Sequence, residues 1–581
     1  MPPHKQVSML WLLRYLAAVK GRMALLLLLL LAATACQLVN PQLVQRFIDT
    51  AAAKGDMTRL LGLAGIFLLV AVCSQLFTLM LNYLGNDVAW RATNRLRADL
   101  LQHCLRLDMR FHNLKTPGVM IERIDGDVTS MSNFFAMFIV QIFGSFVLLG
   151  GILGFMFAYH WPIAVAMTVF TVLAIGVMAV VRNLGVASSQ AEREASASMY
   201  GLIEERLAGI EDVQTGGNVP YVMNRFHRAM RSVFQRGRKA WMLRVVPWNA
   251  TVIMFTVAVT VVLLMGVRLY VSGELSLGML YLIFQYTQML NEPIEQLGNQ
   301  MQEFQKAKSG LRRSRELLSL QSEVVDGDGS ELPPGPLGVE FEQVRFGYSQ
   351  DKTVLHDISF SLRPGERLGI VGRTGSGKSS ISRLLLRLYN LDGGVIRVGG
   401  VDTSTLRLDA LYRRVGMVTQ EVQLFDGTLR DNLTLFDSAV SDETILHTTD
   451  RLGLSGWIAG LPHGLDTHLQ AGGSSLSAGE AQLFALTRVF LTQPSLVILD
   501  EPSSRLDAAT EAALQGAVDQ LLERCTGIVI AHRLATLERM DTIMVLGEGR
   551  ILEYGARMDL ARDPASHYSA LLRADRQEEP A

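Results

Sequence analysis

VGRTGSGKSS, residues Val371–Ser380, is the stretch from which the rest of the chain can be read. Gly372, Gly377, Lys378 and Ser379 complete the spacing G-x-x-x-x-G-K-[ST] of a phosphate-binding loop. Glycines let consecutive backbone N–H groups turn inward around phosphate oxygens, where a Cβ would obstruct them. Lys378 then offers a cation to the outer phosphates, and Ser379 a hydroxyl to Mg²⁺. RLGIV (Arg367–Val371) reads as a short apolar strand before the loop. SISRLLLRLY (Ser380–Tyr389) reads as a helix whose N-terminal dipole points at the anion. Strand, loop and helix in that order predict a nucleoside triphosphate site, with Arg373, Thr374, Gly375, Ser376 and Ser380 completing the cradle.

Outward from this loop, composition divides the chain. Of 581 residues, 49% are hydrophobic and 19% charged, apolar-shifted for a soluble enzyme. The excess lies almost wholly before residue 300. A formal net charge of −1 argues against nucleic acid as a partner held by bulk positive charge. The cysteines, Cys36, Cys73, Cys104 and Cys525, have neither disulfide-framework nor zinc spacing. SEVVDGDGSELPPGPLG (Ser322–Gly338) has the Asp, Gly and Pro content of a linker. The expected domains are therefore a membrane domain over 1–320, a linker over 321–338 and a nucleotide-binding domain over 339–575.

Six stretches without formal charge are expected to cross the bilayer as helices: Met23–Gln45, Leu60–Asn86, Asn133–Tyr159, Trp161–Val181, Val246–Val267 and Leu275–Asn291. The last is the shortest. A cleaved signal around Cys36 is disfavoured, because the apolar run continues to Val44 and further spans follow. Val7–Val19 reads as a helix lying along the interface. The two long connections, Asp87–Ser132 and Arg182–Val245, hold the basic excess, which places them and the second half on the cytoplasmic side. Helical spacing in Val88–Leu107 and Ala191–Ile210 predicts rigid arms with breaks near 111–118 and 212–220. Without buried carboxylates in the spans, a bulky amphipathic cargo fits better than a proton or tightly held ion. The protein is expected to be a multi-pass integral membrane protein of a bacterial inner membrane.

In the second half, SLVILD (Ser495–Asp500) is an apolar strand ending in a carboxylate, with Glu501 next. TGIVIA (Thr526–Ala531) is a second buried strand, with His532 at its end. Asp500 can hold Mg²⁺, Glu501 can polarise an attacking water, and His532 can reach the γ-phosphate.

These pieces, in this order, resemble the ATP-binding cassette transporters of exporter type, specifically half-transporters with one membrane domain fused to one cassette. The resemblance covers nearly the whole chain, including Leu105–Val128 and Gly201–Asn218 as its two cytoplasmic loops. It implies an all-α six-helix membrane domain followed by an α/β P-loop nucleotide-binding domain. It further implies that Tyr348 stacks on adenine and that Gln420 senses Mg²⁺ and γ-phosphate. LSAGE (Leu476–Glu480) would be the signature, with Ser477 and Gly479 meeting the nucleotide of a partner chain. Glu501, His532 and Gln420 are the implied catalytic set; Ser379, Gln420 and Asp500 are the implied metal set.

Departures matter too. Ala478 and Glu480 replace the usual third and fifth signature residues, Ala471 stands where an acidic residue precedes it, and Pro502 follows Glu501. Because one chain has one loop and one signature, the resemblance implies a dimer of half-transporters, a heterodimer being favoured over a homodimer. The implied function is ATP-driven export or flipping of an amphipathic small molecule, peptide or lipid. The alternatives are an exporter-fold importer of a siderophore-like solute and a non-transporting ATP-gated regulator.

Overall fold

The computed structural model describes residues 20–329, 331–349, 352–420, 422–470, 476–500, 508–531 and 534–578. The expected interfacial helix Val7–Val19 lies outside the described residues. Two compact units divide the chain: Met1–Leu105 with Pro117–Leu320, and Arg106–Thr116 with Gln321–Ala581.

The first unit is helical: α1 (Lys20–Ala52) and α2 (Met57–Leu105) precede α3 (Met109–Leu114), which belongs to the second unit. The series continues with α4 (Asp127–Met137), α5 (Gly144–Tyr159), α6 (Trp161–Val181), α7 (Val186–Ala208), α8 (Val219–Val271), α9 (Leu277–Met289) and α10 (Asn291–Ser319). Among the described residues five helical runs are long and apolar enough to cross a membrane. In α2, 6% of the most apolar window is buried by protein, so its Leu, Met and Tyr side chains need lipid or another helix around them. The 49 residues of α2 and 53 of α8 run about 74 and 80 Å, far beyond ~30 Å of hydrocarbon. The first expected arm, Val88–Leu107, is thus continuous with its span as far as Leu105, whereas the second, Ala191–Ile210, lies in α7, which a 3-10 turn at Arg182–Gly185 separates from α6.

The sixth expected span differs. Its helix, α9, has 13 residues and stops at Met289. Pro293 has no N–H to give the Met289 carbonyl, so the helical ladder is interrupted and the chain resumes as α10.

Two sets of hydrogen bonds pin α9 to α1. Gln42 donates to the Tyr286 hydroxyl at 2.9 Å, and that hydroxyl donates to the Leu38 carbonyl at 2.8 Å. Nearer the ends, Asp49 accepts from the Gly278 amide at 2.8 Å and the Ser276 hydroxyl at 2.9 Å. Ile152, Met156, Ile163, Leu282 and Tyr286 form a closed core around the first set. Further along, the buried Asp127 of α4 accepts a two-pronged ion pair from Arg313 of α10.

The second unit is built on sheets. β1 (Val339–Ser349), β2 (Lys352–Leu362), β4 (Gly393–Val398) and β5 (Val401–Asp402) form an antiparallel sheet in the order β2-β1-β4-β5. The larger sheet runs β12-β11-β3-β10-β9-β6, with β3 (Arg367–Val371), β6 (Val415–Val418), β9 (Leu496–Asp500), β10 (Thr526–Ile530), β11 (Thr542–Gly547) and β12 (Arg550–Ala556). Strands β11, β3, β10, β9 and β6 are mutually parallel, and β12 is antiparallel to β11. Unbroken apolar runs such as LVIL and TGIVI are what a parallel strand covered on both faces requires. A short ribbon pairs β7 (Gly427–Thr428) with β8 (His468–Leu469). Four helices complete the set used below: α11 (Lys378–Leu385), α12 (Ala478–Thr492), α13 (Ala508–Leu522) and α14 (His567–Glu578).

Candidate nucleotide site

Register decides where the candidate residues meet. Ile370 of β3 pairs with Ile530 of β10, Ile530 with Asp500 of β9, and Leu499 of β9 with Val418 of β6. The ends of four neighbouring strands therefore lie along one edge, about 4.8 Å apart at each step. From that edge emerge the glycine-rich loop after Val371, Asp500 at the tip of β9, and Gln420 two residues beyond β6. The carboxyl edge of a parallel sheet is where ligands of such folds sit.

The loop takes its shape from glycine. Gly375 and Gly377 hold φ of +83° and +103°, which other L-residues adopt only under strain. A Cβ on Gly377 would lie 2.6 Å from a Leu355 methyl, and one on Gly372 2.1 Å from the Leu546 carbonyl. Lys378, the first residue of α11, is only 6% exposed. Its ammonium donates to the Gly372 carbonyl at 2.7 Å and the Arg373 carbonyl at 3.3 Å, which folds the side chain back along the loop.

Tyr348, Thr374, Gly375, Gly377, Lys378, Ser379, Ser380 and Gln420 line one cavity of about 470 Å³. Gly372, Arg373 and Ser376 of the expected cradle line a second, larger one with Thr374 and Gly375. Val354 of β2 also lines the first cavity; no motif marks it, since it is an ordinary strand valine. Arg383 donates to the Tyr348 hydroxyl at 3.0 Å, and that hydroxyl lies 3.0 Å from the Ser380 hydroxyl. The Tyr348 ring meets Phe346 and Tyr389 edge-on, at 4.9 and 5.2 Å between centroids. Burial pushes the Tyr389 phenol up, the neighbouring Tyr348 adds to this, and Arg383 and Asn113 oppose it. Asn113 of α3 donates to the Tyr389 hydroxyl at 2.5 Å. Motif spacing does not show these contacts, because most join separate elements, and Asn113 lies 276 positions from Tyr389.

The transmembrane-region model of the ABC transporters matches residues 23–294, and the ABC transporter model matches 355–504. The chain belongs to the ABC transporters. A fatty acid ABC transporter ATP-binding/permease protein of Mycobacterium bovis is 29% identical over 82% of this chain and 75% of its own length. An ATP-dependent lipid A-core flippase of Alcanivorax borkumensis is 28% identical over 82% of each chain. In fold, the chain superposes on an ATP-bound bacterial Atm1-family ABC exporter with a TM-score of 0.80 at 24% identity, covering 97% of this chain and 99% of that one. Membrane helices followed by a cassette make this half-transporter a multi-pass integral membrane protein and an ATPase coupled to transport, as the motifs led one to expect.

Within the cassette, the signature opens α12. The Ser477 hydroxyl accepts from the Glu480 amide at 3.2 Å, while the Glu480 carboxylate accepts from the Ser477 amide at 2.7 Å. That is a complete capping box, and it gives the glutamate at this position a structural occupation. Gln482, one turn in, donates to the Gln420 carbonyl at 2.9 Å and ties the two loops together. Glu501 and His532 lie outside the described residues, as do Ala471 and Pro502.

Proposed function

We propose that this chain is one half of an ATP-driven exporter or flippase for an amphipathic molecule, with ATP hydrolysed at the interface of a dimer. The observation that carries the reading is the single cavity lined by the loop, Lys378, Ser379, Tyr348 and Gln420 in a chain that also carries membrane-spanning helices. In this reading the loop amides and Lys378 hold the phosphates, and Tyr348 packs on the base. Glu501 orients the attacking water and takes its proton, while Gln420 and His532 hold the γ-phosphate side of the site. Mg²⁺ suits the residues present: Ser379 and Gln420 line the cavity and Asp500 ends the next-but-one strand, all oxygen donors of the kind it takes. Bound there, it would offset phosphate charge. The relatives' names, a fatty acid transporter and a lipid A-core flippase, support an amphipathic cargo. The domains proposed are 1–320, 321–338 and 339–575, in a bacterial inner membrane with the cassette cytoplasmic.

The partner in this reading is an unlike half-transporter. Ser477 and Gly479 would face the partner's nucleotide, and the Glu480 carboxylate already occupies the N-terminus of α12 that would otherwise favour that anion. The site completed by this signature is thereby weakened, while the chain's own Lys378 and Glu501 are retained. Reconstituting the chain into vesicles, alone and with candidate half-transporters, tests both points. ATP-dependent movement of a labelled lipid that is lost in Lys378→Met is expected. Nucleotide-gated ion conductance without solute accumulation would replace the exporter by a channel. Full transport by the chain alone would remove the unlike partner.

A further inference from the structure

A separate cavity, of about 410 Å³, lies among the helices of the first unit. Its polar lining comes from Gln37 and Asn40 of α1, Tyr281 and Gln285 of α9, and Glu292 of α10, and its apolar lining includes Phe67 of α2. Asn40 lies inside the uncharged run Met23–Gln45 of α1, about 8 Å by helical rise from its Gln45 end, and Glu292 directly follows the uncharged run Leu275–Asn291. The carboxylate that reads from sequence as a span boundary thus lines a cavity among the apolar helices.

The lining is rich in acceptors. Pro41 cannot donate to the Gln37 carbonyl, and Pro293 cannot donate to the Met289 carbonyl; both carbonyls belong to residues of this cavity. The Asn40 Oδ1 is buried and has no hydrogen-bond partner among the described residues. Glu292 accepts one bond, from Gln296 at 2.9 Å, and among the described residues no cation pairs with it. A carboxylate at the end of an apolar span is open to pairing with a cation. The walls are also held in place, because the Gln42–Tyr286–Leu38 bonds fix α1 against α9 beside the cavity.

Resting on the exporter reading, we infer that this cavity seats the polar head of the cargo and that the head is a cation bearing N–H donors, an ammonium or guanidinium, on an apolar tail. Its charge pairs with Glu292, its hydrogens go to Asn40 and the proline-freed carbonyls, and its tail lies on the Phe67 side.

The test uses the full chain in its transporting assembly in vesicles and three fluorescent probes with one dodecyl tail, ending in guanidinium, alcohol or carboxylate. ATP-driven uptake should half-saturate lowest for the guanidinium probe. Glu292→Gln should raise that concentration about tenfold, the scale of one charged hydrogen bond, and leave the alcohol probe little changed. Asn40→Asp, which adds an acceptor charge to the same wall, should lower it. Equal uptake of the three probes, or a Glu292→Gln change shared by the alcohol, overturns the cationic head while export stands. A variant Glu292→Gln that fails to assemble leaves Asn40→Asp to decide: no preference gained for the guanidinium probe overturns the inference. Hydrolysis with no probe moved overturns the exporter reading and the inference together.

Discussion

Replacing Lys378 by methionine isolates what its charge contributes. The side chains are similar in length, and the residue is 6% exposed, so the swap keeps the packing of the loop while removing the ammonium. In the loop as it stands that ammonium bonds the Gly372 and Arg373 carbonyls. Losing those bonds costs about 1 kcal/mol each, and no longer burying a charge offsets part of it. The fold should therefore survive with a stability change of about 1 kcal/mol. Nucleotide binding loses a charge-assisted bond to phosphate, about 1.5–3 kcal/mol, or about 10- to 150-fold in Kd. Titration of the purified chain with a fluorescent ATP analogue, alongside thermal unfolding, measures both quantities. A Kd within about twofold of the parent, with unfolding unchanged, would show that the loop amides alone hold the nucleotide and would refute the role given to Lys378.

Other substitutions probe different links. Glu501→Gln should bind ATP but hydrolyse it slowly, and trap a closed dimer detectable by cross-linking; parental turnover would remove its role. Gly377→Ala should destabilise the cassette by about 1–3 kcal/mol in denaturant titration, since its φ is +103° and the new Cβ meets Leu355 at 2.6 Å. Asp127→Ala leaves Arg313 without its buried partner, and because that arginine is 42% exposed the loss should be about 1–3 kcal/mol rather than the full cost of a buried pair. Cys525, whose thiol burial pushes up to about 12, should resist alkylation at pH 8 until the chain unfolds; rapid labelling of the native protein would contradict its placement.

Much of this architecture was open to reading because two signals are local. An apolar run of twenty residues and a glycine-spaced loop each state their physics within a short window. Trp161–Val181 is expected as a span and is a helix with those same bounds. The stretch 275–291 reads as one uncharged run, and hydropathy does not register the missing N–H of Pro293, just beyond its edge, where the helix breaks. Glu480 reads as a departure within a signature, yet its bond to the Ser477 amide shows a cap that the i, i+3 spacing of Ser and Glu could have announced. The hydroxyl contacts of Tyr348 and the cavity joining Asn40 to Glu292 depend on packing between distant segments, which no window contains.

Arg106–Thr116 folds with the cassette although it lies more than 200 positions upstream of it. Asp108 accepts the Glu323 amide at 2.6 Å, Arg110 pairs with Glu323 at 2.9 Å, and Asn113 reaches Tyr389. Anyone excising the soluble half at residue 321 would therefore leave a piece of it behind, with Glu323 and Tyr389 stripped of their partners. A synthetic eleven-mer of that sequence, supplied in trans, ought to bind the fragment and raise its melting point.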